Sequence, residues 1–200
     1  MNEAATMNHL VEPTETPLTP SSWGKLGMWM FLCGDAMSFG GLLAAYAAYR
    51  ISSPDWPVPS TKLGIGLTAV MTFLLICSSV TMVKALSAIR HGNRKGLVGF
   101  LLLTALGGAT FLGCQAYEWS HLFMHEATFT GHLFWTTFFC LTGFHGLHVT
   151  SGVIYLLVMA ALSARGKFTR DNNNPIEIVG LYWHFVDLVW ILIFTFVYLI

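Results

Sequence analysis

The chain has 200 residues, 54% of them hydrophobic and only 10% charged, and its formal net charge is zero. A mean hydropathy of +0.62 with so few charges excludes an ordinary soluble domain, in which about 25% of residues are charged. Five apolar stretches are long enough to cross a hydrocarbon core of roughly 30 Å at about 1.5 Å per residue. They are Leu26 to Tyr49, Leu63 to Ile89, Leu97 to Trp119, Leu133 to Leu162 and Ile178 to Ile200. Residues 1–22, with "PTETPLTP" and no basic stretch leading into an apolar one, read as a disordered tail and not as a signal peptide. Residues 23–200 then form one all-α membrane bundle of five helices.

If the helices alternate, Lys25, Lys84, Arg90, Arg94, Lys95, Arg165, Lys167 and Arg170 lie on the side of the N-terminus, and only Arg50 and Lys62 on the other. That asymmetry predicts a cytoplasmic N-terminus and an external C-terminus. Small residues that allow close backbone approach are plentiful: Gly34, Ser38, Gly41, Ala44 and Ala48 in the first helix, Gly107, Gly108 and Gly113 in the third, and Gly143, Gly146, Thr150 and Gly152 in the fourth. All seven prolines are expected outside the helices, and no repeat suggests the inverted halves of a transporter. Cys33, Cys77, Cys114 and Cys140, one on each of the first four helices, read as small packing residues.

Two connecting segments carry polar chemistry. Ser120 to His132 holds His121, His125, Glu126 and His132, a solvated loop on the plain reading and a stray metal site on the sharper one. Ser163 to Glu177 is basic and turn-rich, and its Arg165, Lys167 and Arg170 are candidates for contact with anionic lipid headgroups at the cytoplasmic face.

Within the spans, "TGFHGLHVTSG" and "YWHFVDLVW" carry ionisable groups that lipid does not solvate. Counting about 1.5 Å per residue puts Asp35 and Asp187 about 14 Å deep, His145 about 12 Å, His184 about 9 Å and His148 about 8 Å from the cytoplasmic edge. Asp35, Asp187 and His145 thus share one tier, and His148 and His184 share another. Each such group costs on the order of 3 kcal/mol at the centre of a spanning helix and so faces the bundle or a partner. His184 with Asp187, and His145 with His148, lie on one helix face at a spacing of three. Trp183 and Trp190 mark a neighbouring aromatic stripe. Gln115 and Glu118, beside Trp119, fall at the outer interface, where a solvated carboxylate is normal. Three readings of the buried groups stand open on residues alone: a satisfied polar core that fixes helix register, a proton relay, and a b-type haem with His148 and His184 as axial ligands. A relay lacks an ionisable residue between the Asp35 tier and Glu118. No nucleophile has a base beside it.

The stretches "GMWMFLCGDAMSFGGLLAAYAAYR", "FLGCQAYEW", "TGFHGLHVTSG" and "YWHFVDLVW", in this order over four of the five helices, resemble subunit III of the haem-copper oxidases, the cytochrome c oxidases and their quinol oxidase relatives. The resemblance implies a five-helix bacterial short form, without the first two helices of larger members and therefore without part of the wall of their V-shaped lipid cleft. It implies a subunit with no redox metal and no active site of its own, a multi-pass protein of the bacterial inner membrane. Haems and copper would sit in its partners, catalytic subunit I and subunit II, and its roles would be assembly, lipid binding, proton uptake and sustained turnover in aerobic respiration and proton translocation. Bound phospholipid, membrane lipids and a respiratory supercomplex are further implied partners; nucleic acid is not. His145, His148, Glu118, His184 and Asp187 match the family's pattern, whereas Asp35 stands where that pattern usually has a glutamate, one methylene longer. The alternatives are a quinol oxidase subunit III, a subunit III-like protein of a nitric oxide reductase, and, outside the family, a membrane cytochrome or proton-conducting protein.

Overall fold

A computed structural model describes residues 23–59, 63–124, 132–170 and 172–200. The tail at 1–22, Lys62, His125 and Glu126 lie outside the described residues. Among those described there are helices and no strands: α1 (Trp23–Ser52), α2 (Ile65–Arg90), α3 (Arg94–Met124), α4 (Leu133–Ala164) and α5 (Asn174–Ile193), which runs on as a π-helical turn over Phe194–Leu199. All five are long and apolar enough to cross a membrane. Each predicted span is recovered, and most helices run beyond it into polar residues. Hydropathy marks the length immersed in hydrocarbon, whereas a helix satisfies its own backbone past that boundary.

The proline expectation needs correction at Pro59, which is helical in the segment between α1 and α2, and at Pro175. Pro175 lies in the first turn of α5, where its missing N–H has no intrahelical partner to lose and its φ is already helical. Of the loop histidines, His132 is a cap: its Nδ1 accepts the Phe134 backbone N–H at 3.1 Å and starts α4.

The helix α5 is the centre of the bundle and α1 its edge. Half of the most apolar window of α5 is buried, against 11% of that of α1. The helices α2, α3 and α4 pack in sequence, α5 closes against α2 and α4, and α1 leans on α4 and α5. The close approach of α5 rests on two glycines. Trp183, fully buried, lies over Gly108 of α3 and Gly152 of α4. A Cβ at Gly152 would stand 2.9 Å from the indole Cζ3, and one at Gly108 would collide with the same ring. Gly107 likewise lets α3 approach Ser78 of α2.

Other small residues do not pack inside the chain. Gly34, Gly41, Gly113 and Gly146 have open space where a Cβ would project, and Ser38, Ala44, Ala48 and Thr150 are exposed. Small residues mark a helix surface for close approach without saying which chain supplies the other surface. Three of the four cysteines, Cys33, Cys77 and Cys140, are also on the outside of the bundle and not in its packing.

Candidate intramembrane polar site

The peripheral helix α1 is held to the bundle by polar ties at three levels. At its N-terminal end Lys25 Nζ meets Glu177 Oε2 of α5 at 2.9 Å, with Arg90 of α2 on the same oxygen at 3.7 Å. In the middle, Asp35 Oδ2 meets His148 Nε2 of α4 at 3.1 Å. At the far end Arg50 Nη2 donates to the carbonyl oxygen of Ile200. The rungs are spaced roughly 15 Å and 22 Å apart along the helix.

The central rung joins residues from the two tiers that backbone depth separates. The reason lies in side-chain direction. Helical side chains lean toward their own N-terminus, and α1 and α4 run in opposite senses, so Asp35 and His148 lean toward one another. His148 shows this lean directly, because its Nδ1 lies 2.8 Å from the carbonyl of Phe144, one turn back. A carbonyl only accepts, so Nδ1 carries hydrogen. The contact between Nε2 and Oδ2 then holds one proton, either on an imidazolium facing a carboxylate or on a carboxylic acid facing a neutral ring. Both arrangements leave the pair neutral overall. Phe39 and Phe144 enclose the imidazole, with ring centroids 5.2 and 4.7 Å away. Tyr182 of α5 donates to the His148 carbonyl at 3.0 Å and lies 2.6 Å from the Ser151 hydroxyl.

The other predicted residues, His145 and Asp187 buried and His184 half-buried, do not form one network. His184 Nδ1 is 2.5 Å from the Ser79 hydroxyl of α2. Asp187 is 5% exposed, and neither carboxyl oxygen has a hydrogen-bond partner; the Ser79 hydroxyl is within interaction range of it. His145 is fully buried with both ring nitrogens unpartnered. Its ring stacks on Trp190 at 4.9 Å and meets Phe111 edge-on at 5.6 Å. The tier that predicted Asp35, Asp187 and His145 together is thus not a bonded group. All three are turned toward protein, but only Asp35 meets an ionisable partner.

Glu118 departs furthest from its expectation. It is 5% exposed, not solvated, because α3 continues to Met124 and the π-helical turn of α5 folds over it. It accepts from Tyr198 Oη at 2.9 Å, from Gln115 Nε2 at 3.2 Å and from Thr68 Oγ1 of α2 at 3.3 Å. Arg165, Lys167 and Arg170 are exposed on the turn after α4, beside Arg94, whose guanidinium donates to the carbonyls of Ser163 and Ala164.

The partners that sequence reasoning missed are hydroxyls, mostly on α2. Thr72 accepts from Trp190 Nε1 at 2.9 Å, Ser78 accepts from Trp183 Nε1 at 3.0 Å, and Ser79 meets His184. The signal was a run of serine and threonine through an otherwise apolar span, at Thr68, Thr72, Ser78, Ser79 and Thr81. The hydroxyls of Thr72, Ser78 and Thr81 also bond to carbonyls of their own helix, which makes them cheap in lipid and easy to pass over. Haem ligation by His148 and His184 does not fit this arrangement, since both nitrogens of His148 are engaged. Among the described residues no group of three or more His, Cys, Asp or Glu side chains is placed to hold a metal ion.

Fold and site together define a polytopic helical membrane protein that carries acids and imidazoles within its apolar spans. The comparisons with known proteins name the family: the chain belongs to cytochrome c oxidase subunit III, whose sequence model matches residues 20–200. It is 42% identical over 176 residues to cytochrome c oxidase subunit 3 of Synechocystis sp., covering 87% of this chain and 74% of that one. It is 39% identical to quinol oxidase subunit 3 of Bacillus spizizenii, covering 87% and 85%, and 37% identical to a probable cytochrome c oxidase subunit 3 of Mycobacterium leprae, covering 88% and 87%. The resemblance carried by the four motifs is thereby borne out.

Proposed function

We propose that this chain is the accessory third subunit of a bacterial haem-copper terminal oxidase, set in the inner membrane with its N-terminus in the cytoplasm. Its partners on this reading are catalytic subunit I, which holds haems and copper, and subunit II. The observation that carries it is the family match over nearly the whole chain. Relatives named for cytochrome c oxidase and for quinol oxidase are about equally similar, which supports assigning the choice of electron donor to the partner subunits.

The exposed face of α1 supports docking on another helix. Gly27, Gly34, Gly41 and Ala48 recur every seven residues on it, with open space at each glycine, a surface that lets a partner backbone come close. On another side of α1, apolar grooves against α5 of about 330 and 440 Å³, lined by Trp29, Cys33 and His184 and by Tyr46, Arg50 and Phe196, are suited to phospholipid acyl chains. The exposed Arg165, Lys167 and Arg170 are the candidates for headgroups on the cytoplasmic side.

Affinity purification from native membranes tests the reading. The expected result is co-purification with oxidase subunits I and II, found by mass spectrometry, and no haem absorption in the separated chain. Recovery with a nitric oxide reductase, or a Soret band that stays with the isolated chain, would overturn it.

A further inference from the structure

We propose that Glu118 is a buried proton-binding site, with the carboxamide of Gln115 as a two-position partner that follows the proton. The inference is independent of the oxidase assignment and rests on the hydrogen-bond inventory around one carboxyl group. As placed, Glu118 receives and does not give. Tyr198 Oη and Gln115 Nε2 donate to Oε2, and the Thr68 hydroxyl donates to Oε1. This is the pattern of a carboxylate, which has only acceptors. The odd atom is Gln115 Oε1, which is buried and has no hydrogen-bond partner, in a residue only 6% exposed.

A buried acceptor without a donor is costly, and here it belongs to the group already touching the acid. A half-turn of the carboxamide exchanges its oxygen and nitrogen, which have nearly the same shape. In that position Oε1 faces Glu118 Oε2 and accepts a hydrogen bond from it, provided the carboxyl has gained a proton. The proton forms one O–H bond at Oε2, the Gln115 N–H···Oε2 bond is exchanged for an O–H···Oε1 bond, and Tyr198 and Thr68 remain donors. The vacant acceptor of the ionised state is the partner of the neutral one.

Among the described residues the groups bonded to the carboxylate are a hydroxyl, a carboxamide and a phenol, with no cation among them. From α2 it is faced by Thr68, from its own helix by Gln115, and from the turn of α5 by Tyr198, the titratable group in direct contact. The helix α4 contributes Phe138, which packs on the Tyr198 ring. The charged group of α1 at this end, Arg50, is bonded to the Ile200 carbonyl. The single Thr68 hydroxyl hydrogen is shared between Glu118 Oε1 at 3.3 Å and the carbonyl of Gly64 at 3.1 Å, just before the first turn of α2.

Infrared difference spectroscopy of the purified protein in lipid, titrated between about pH 3 and pH 9 so that the ordinary glutamate range near pH 4 and the range above it are both covered, tests this with any co-purifying subunits kept. The expected result is a carboxylic C=O band that appears on acidification, is absent in Glu118→Gln, and moves to higher frequency in Gln115→Leu, where its acceptor is gone. If Glu118→Gln does not accumulate, the Gln115→Leu shift decides alone. A pH-difference spectrum unaltered by Glu118→Gln, or a Glu118 band that Gln115→Leu leaves in place, overturns the proposal.

Discussion

Trp183→Ala is expected to cost roughly 3–5 kcal/mol of stability, the range for truncating a large buried aromatic. Trp183 is fully buried at the junction of four helices. It projects from α5 onto two glycines, Gly108 and Gly152, which have no side chain to fill the space it would leave. The mutation also strips Ser78 of the indole donor at 3.0 Å. Trp183→Phe keeps most of the ring and loses the N–H, so its cost should be nearer 1 kcal/mol. Unfolding midpoints in a mild detergent check the order: wild type, then Phe, then Ala. An alanine variant as stable as the phenylalanine variant would show that the ring is not filling the junction.

Asp35→Leu should lower stability, or recovery of the assembled complex, by the equivalent of roughly 1–3 kcal/mol, while Asp35→Asn stays close to wild type. Leucine leaves His148 Nε2 facing apolar atoms at the middle of the membrane. Asparagine can still donate from its amide to that nitrogen, because Nδ1 already holds the ring hydrogen against Phe144. The effect falls on α1 in particular, since this helix buries so little apolar surface and depends on its three polar ties. Equal assembly and melting of the leucine, asparagine and wild-type proteins would refute the expectation.

The spans were legible in the sequence because lipid imposes one rule on every backbone group it surrounds, and length and hydropathy answer to that rule directly. The inward turn of the ionisable groups was legible for the same reason. What the sequence left unread was which group meets which. Depth counted along the backbone placed Asp35 beside Asp187 and His145, because it ignored the opposite lean of side chains on antiparallel helices; the lean carries Asp35 to His148 instead. Glu118 was misplaced by a boundary. Its helix runs to Met124, and the cover over it comes from a π-helical turn of α5 that no local pattern announced. The hydroxyl partners on α2 were visible as residues but not as partners, since each could also have bonded only to its own helix.

Charged and imidazole side chains are accommodated in these spans by meeting protein groups on other helices, and Asp35 with His148 is the clearest instance. The most direct measurement is a double-mutant cycle on unfolding in lipid or detergent with Asp35→Leu, His148→Leu and the pair. A direct bond predicts that the second mutation costs less once the first is made, with a coupling of about 1 kcal/mol, within the span seen for contacting polar pairs in membranes. Additive costs, agreeing within about 0.3 kcal/mol as they do for residues that do not touch, would contradict it.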